Sequence, residues 1–132
     1  MISCPIQIRF ADCDMAGHVH NAAYLHYFET ARMHFLMAGL GNEWNWKKDG
    51  LILKKNTIEY NQPVFLMDAL TINVHTTKIG NKSFTLYYSV RNQNGIEMAN
   101  GDSVLVCFDY SLNKSVTIPN QVRLHLQNHI QA

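Results

Sequence analysis

One helical period stands alone in a chain that otherwise alternates, and this limits the folds open to it. Tyr24, Phe28, Ala31 and Phe35 recur at helical spacing, and Leu25 and Leu36 widen the apolar stripe. The spacing predicts a helix over residues 22–38. Asn21 is placed to cap its first turn, and Gly39 and Gly41 supply a stop signal. Before it, Ile6, Ile8 and Phe10 alternate with polar neighbours as a short strand. After a weak stretch at 44–48, read as loop or a short turn, residues 51–110 read as strands. Ile72, Val74 and Thr76 form one alternating set; Phe84, Leu86, Tyr88 and Val90 form another; Val104, Val106 and Phe108 form a third. Gly80-Asn81 and Asn94-Gly95 mark tight hairpins, and Pro63 lies between strand segments, where its missing amide does no harm. Asn100-Gly101 reads as a bulge or kink within one long strand. Past Pro119, the i, i+4, i+8 spacing of Val122, Leu126 and Ile130 predicts a terminal amphipathic helix. A long helix with aromatics on several sides needs covering on several sides. The expected architecture is therefore α+β, with an antiparallel sheet of about five strands curled around one long helix, and Gly101 letting the sheet approach it.

Bulk properties narrow the function. The 132 residues suit one domain, with 47% apolar and 16% charged side chains. The formal charge of +1 gives no basic surface of the kind that binds nucleic acid or an anionic membrane, so neither partner is expected. Cys4, Cys13 and Cys107 are odd in number and form no CxxC pair, which favours a reducing compartment over a disulfide scaffold. The opening MISCPIQIRF lacks a basic leader and a long apolar run. No apolar stretch approaches the roughly 20 residues that span a bilayer. A cytoplasmic location is the expectation.

The chemistry concentrates in Arg9-Phe-Ala-Asp-Cys-Asp-Met-Ala-Gly-His-Val-His-Asn-Ala-Ala-Tyr24. Asp12 and Asp14 fall between a strand and the start of the helix. Amides at a helix N-terminus point outward, and the dipole there favours developing negative charge. A carboxylate facing those amides can attack, or activate water against, a carbonyl whose oxygen they hold. The same aspartates can also be plain turn formers.

The segment RFADCDMAGHVHNAAYLHYFETAR resembles the opening of the 4-hydroxybenzoyl-CoA thioesterase-like families of the hotdog superfamily. IEYNQPVFLMDALTINVHTTKIGNKSFTLYYSV and SVLVCFDYSLNKSVTIP are similar to that family's later strands, so the likeness covers nearly the whole chain. It implies a hotdog fold, a single thioesterase domain over 1–132, and hydrolysis of an acyl-coenzyme A thioester without metal or other cofactor. It implies a homodimer, or a tetramer built of two dimers, with sheets joined edge to edge and active sites at the subunit interface. By the same resemblance Asp14 is the catalytic carboxylate, acting as nucleophile or as general base. Asn21 begins the helix and offers its backbone amide to the thioester carbonyl, and Asp12 is structural. Gly17, His18 and Tyr24 are assigned to the substrate pocket, with His18 open to a purely structural role and Tyr24 equally able to fill the core. Lys78, Lys82 and Ser83, beside a hairpin, correspond to the region that meets the nucleotide or pantetheine of coenzyme A, although a solvated turn accounts for them equally well. An acyl-carrier-protein thioesterase and a non-catalytic acyl-binding protein are the alternatives.

Other features have simpler accounts. His18, His20 and His26 cluster in sequence, but an HxH spacing in a turn is a weak metal signal. Glu29 and Arg32 suit a surface or interface ion pair. Cys13 lies between two carboxylates that disfavour its thiolate, and reads as a small buried residue.

Overall fold

Alternation and helical period translate into strands and helices with few changes of boundary. The computed structural model describes residues 1–131. Strand β1 spans Ile2–Ile6, helix α1 Ala23–Leu40, β2 Asp49–Tyr60, β3 Leu70–Ile79, β4 Ser83–Arg91, β5 Glu97–Asp109, β6 Lys114–Ser115 and helix α2 Asn120–Asn128. All strand pairings are antiparallel, in the order β1-β3-β4-β5-β2, with the two-residue β6 added to β5. Both hairpins form where expected: the Gly80 amide donates to the Ser83 carbonyl, and Gly95 takes φ +74.

The buried face of the sheet wraps α1. Phe28, Ala31, Phe35 and Leu36 are fully buried against Ile72, Val74, Leu86, Tyr88 and Leu105. Burial of each large apolar side chain of this kind contributes roughly 1.5–3 kcal/mol. Phe28 stacks on Tyr88 with ring centroids 4.2 Å apart. Gly101 lies directly over this contact, where a Cβ would run into the Thr57 carbonyl and sit 3.0 Å from the Phe28 ring. The expected close approach at Gly101 is present, but the bulge is not. The ladder runs unbroken through Asn100 and Gly101, and the register shifts lie at Leu53/Lys55, Thr76/Lys78 and Val90/Arg91.

Two further expectations are corrected. Strand β1 ends at Ile6; Ile8 is half-buried outside it, and Phe10 opens a 3-10 turn and is 84% exposed. The alternation carries the right parity but runs past the last partner in β3, since Ile6 pairs with Leu70 at the beginning of that strand. Ile130 lies outside α2 and forms an isolated bridge with Thr76, leaving Val122 and Leu126 to seat the helix. The expected Glu29–Arg32 pair forms at 3.8 Å, with Glu29 exposed and Arg32 buried. Among the described residues no helix is long and apolar enough to cross a membrane.

Candidate active site

The segment between β1 and α1 folds back on itself. Cys13 and Val19 form an antiparallel bridge, the Asp14 amide donates to the His18 carbonyl, and the Gly17 amide donates to the Asp14 carbonyl. Gly17 closes this turn at φ +82, a left-handed value that costs glycine little. The Asp14 side chain is exposed, and its Oδ1 accepts from the amides of Ala16 at 2.9 Å and His18 at 3.3 Å. Two main-chain donors thus fix one carboxylate oxygen.

Asp12, two residues earlier, is buried. Its Oδ2 accepts from the Arg9 amide at 2.9 Å and from the Tyr27 hydroxyl at 2.7 Å, and the exposed Arg9 guanidinium lies 3.3 Å from Oδ1. Burial alone pushes its pKa up. The Arg9 amide, the Tyr27 hydroxyl and the Arg9 charge outweigh that and hold the carboxyl below its usual value.

The helix start departs from expectation. Asn21 does not cap it with its side chain. Ala22 occupies the cap position in helical conformation, its amide donates to His20 Nδ1 at 3.1 Å, and the Ala23 amide donates to the His20 carbonyl. The Asn21 carbonyl accepts from the Tyr60 hydroxyl at 3.2 Å. Among the described residues the Asn21 amide donates to no protein group.

Asp14, His18, Asn21 and Tyr24 line one pocket of about 220 Å³ together with Tyr60, Asn61, Gln62 and Pro63. Tyr24 is buried, and its ring meets Tyr60 edge to face at 5.0 Å. Burial, with smaller contributions from Tyr60 and Asp68, pushes its hydroxyl up to about 12, so Tyr24 is a donor and not a base at neutral pH. His18 packs edge to face on Phe65 at 4.9 Å. Gly17 faces a second, more apolar groove on the other side of Asp14, lined by Phe10, Cys13, Met15 and Leu66. Cys13 is half-buried there. Tyr60, Asn61 and Gln62 carried no sequence signal beyond the nearby Pro63. They arrive from the far end of β2, whose position depends on pairing with β5.

Lys78, Lys82 and Ser83 are not brought to Asp14 within one protomer. The Asp14 turn is bridged to Phe65, just before β3 begins, whereas the β3–β4 hairpin lies at the opposite end of that strand. Nine residues of strand rise put the two about 30 Å apart. The hairpin instead meets α2, with Arg123 donating to the carbonyls of Gly80 and Asn81.

An antiparallel sheet wrapped on one long helix is a hotdog fold, and in it the Asp14 turn and the start of the helix line one pocket. Residues 8–126 match the family model described as the thioesterase-like superfamily. The chain belongs to that superfamily and is a thioester hydrolase. It is 25% identical over 124 residues to the acyl-CoA thioester hydrolase YbgC of Escherichia coli O6:H1, covering 89% of this chain and 90% of that one. It is 26% identical over 128 residues to the long-chain acyl-CoA thioesterase FadM of E. coli K12, covering 96% and 97%. Among solved structures, a thioesterase from Thermus thermophilus complexed with coenzyme A and Zn superposes with TM-score 0.83 at 26% identity, covering 96% of this chain and 91% of that one.

Proposed function

We propose that the protein hydrolyses an acyl-coenzyme A thioester to the free acid and coenzyme A, with Asp14 as the catalytic carboxylate. The observation that carries this reading is the shared pocket of Asp14 and Asn21: a fixed, exposed carboxylate and, at the start of α1, an amide with no protein acceptor among the described residues. The names of the relatives, and the coenzyme A in the Thermus structure, support coenzyme A over an acyl-carrier protein. In one route an Asp14 oxygen attacks the thioester carbon and expels the coenzyme A thiolate, and water then hydrolyses the mixed anhydride. In the other, Asp14 removes a proton from the attacking water. Amides near Asn21 hold the oxyanion in both, and one such donor is worth roughly 2.7–4 kcal/mol in a well-studied protease. A burst of thiol ahead of acid release marks the anhydride route.

The working unit in this reading is a homodimer. Strands β1 and β2 are the two edges of the sheet; β2 is the longer, and Ile52 and Leu53 are exposed on it. Two-fold antiparallel pairing of β2 with its copy covers that edge. It also sets the Tyr60 end of one strand beside the Asp49 end of the other. The β3–β4 hairpin lies at the Asp49 end, since Ser83 pairs with Val106 and Asp49 with Asp109. Lys78, Lys82 and Ser83 of the partner subunit thereby come to the same end as Asp14, where lysine can meet coenzyme A phosphate as a point charge. Sedimentation at micromolar concentration is expected to give a dimer, or a tetramer of two such dimers. A fully active monomer overturns the shared site. Three free cysteines suit a cytoplasmic setting. The test of the activity is hydrolysis of a panel of aromatic and aliphatic acyl-coenzyme A substrates by the wild-type chain and Asp14→Asn. No turnover of any member, or equal turnover by both, overturns the reading.

A further inference from the structure

Three segments meet at one buried carboxylate, and only one of them carries Asp14. Arg9 belongs to the exit from β1, the 12–20 turn presents Asp14, and Tyr27 stands on the second turn of α1. The Tyr27 hydroxyl reaches 2.7 Å from Asp12 Oδ2, and both residues are less than a tenth exposed. The Asp12 carbonyl accepts from the His20 amide at 2.7 Å, and His20 in turn accepts from Ala22 and Ala23 at the helix start. A connected path therefore runs from the helix interior, through Asp12, to the Asp14 turn along the chain and, through His20, to the Ala22 and Ala23 amides that follow Asn21.

We propose that Tyr27 and Asp12 are positioning residues: their buried hydrogen bond fixes the distance between the Asp14 carboxylate and the amides at the start of α1. The proposal rests on the reading of Asp14 as the catalytic carboxylate. It follows from what the pair connects. Asp14 is exposed on a turn closed by Gly17, and its carboxylate is fixed only to amides of its own turn. The Val19 amide ties the turn to the Val64 carbonyl, but that segment is not the helix, and the turn needs a further tie to keep its place relative to α1. Asp12 provides one through its main chain to His20 and another through its side chain to Tyr27. The second joins the turn to the second turn of the helix, where Tyr27 and Phe28 are packed in the core. Misplacing a reacting group by about 1 Å can cost on the order of 100-fold in rate while leaving binding intact. Burial, with Asp12 beside it, raises the Tyr27 pKa above its usual value, which keeps this hydroxyl a donor across the working pH range.

The experiment is a double-mutant cycle on the full chain, read as kcat and KM on the best coenzyme A thioester found. Tyr27→Phe keeps the ring and removes only the hydroxyl. It is expected to lower kcat roughly 10-fold or more with KM changed less than about 2-fold, as befits a misplaced but accessible carboxylate. In an Asp14→Asn background the same substitution is expected to change the residual rate by less than about 2-fold, because the group being positioned has gone. Circular dichroism at the assay temperature confirms that each variant is folded. Unchanged kcat in Tyr27→Phe overturns the proposal. An equal loss in both backgrounds also overturns it, since general loosening does not depend on Asp14. If Tyr27→Phe fails to fold, Asp12→Asn takes its place in the cycle; its amide oxygen still accepts from Tyr27, so the expected kcat loss is smaller but has the same dependence on Asp14. A near-normal kcat in Asp14→Asn alone rejects the Asp14 assignment, whereas a dead Asp14→Asn beside an unimpaired Tyr27→Phe rejects only the positioning role.

Discussion

The two ends of helix α1 are finished differently. At the C-terminal end the protein supplies its own donors. The Gly41 amide donates to the Met37 carbonyl, Gln121 Nε2 donates to the Gly39 carbonyl, and His125 Nε2 lies 2.6 Å from the Phe35 carbonyl. Helix α2 is pressed against this end so closely that a Cβ on Gly39 would overlap the His125 ring. The N-terminal end has no such cover. A single imidazole serves Ala22, Asn21 has no protein acceptor for its amide among the described residues, and a polar pocket opens in front of it. Every helix has four unsatisfied groups at each end. The end whose groups are left to an outside molecule is the end at which to seek function.

This contrast can be broken experimentally, beginning at the open end. Asp14→Asn keeps side-chain size and removes the charge. It is expected to lower kcat by roughly 10²–10⁴-fold, the range for losing a general base, with KM nearly unchanged and the fold intact. Steady-state kinetics and circular dichroism together check this.

At the closed end, Gly39→Ala tests whether tight packing outweighs helix propensity. In an open helix interior the change stabilises by up to about 1 kcal/mol. Here the new methyl meets His125, so a net loss of roughly 1–3 kcal/mol is expected, as for an overpacked core. Thermal unfolding should show a lower Tm, while kcat per folded molecule stays at the wild-type value.

Asp12 supplies a pH test of the junction between the two regions. Its folded pKa lies below the ordinary 3.8, so the folded state favours the ionised form. The stability it contributes is complete above pH 3.8 and is lost as pH falls through the lower folded value. The stability difference between wild type and Asp12→Asn, measured by urea unfolding, is expected to be flat at neutral pH and to shrink below pH 4.

The smallest effect is expected at the partner's hairpin. An exposed lysine paired with phosphate contributes about 0.2–1 kcal/mol, so Lys82→Ala should raise KM for a coenzyme A thioester roughly 1.4–5-fold, less at high salt. A truncated thioester without the nucleotide should show no change.

Much of this architecture was legible because it follows from periodicity. The 22–38 stripe became α1, and the alternating sets became β3, β4 and β5, since each depends on spacing along one segment. For the Asp14 segment spacing alone favoured a plain turn, and its catalytic reading comes from the resemblance to a known opening. What stayed hidden depends on contacts distant in sequence. Tyr60, Asn61 and Gln62 reach the pocket only because β2 pairs with β5. Ala22 rather than Asn21 holds the cap position, and its amide goes to a His20 imidazole that helical spacing does not single out. Lys78, Lys82 and Ser83 looked like part of one site because sequence does not show which end of a sheet a hairpin occupies.

The pairing of β2 also dictates an order of assembly. Strands β3, β4 and β5 join neighbour to neighbour through short hairpins, but the partner of Asp49 is Asp109. Contacts so far apart in the chain are slow to form, because a long loop must close before they repay its entropy. On a ribosome, the β2 segment emerges well before the strand it will join, and it waits without a partner until β5 has been made. Tyr60, Asn61 and Gln62 wait with it. The pocket wall is therefore expected to be among the last parts of the molecule to take shape, so that a nascent or partly folded chain is also an inactive one.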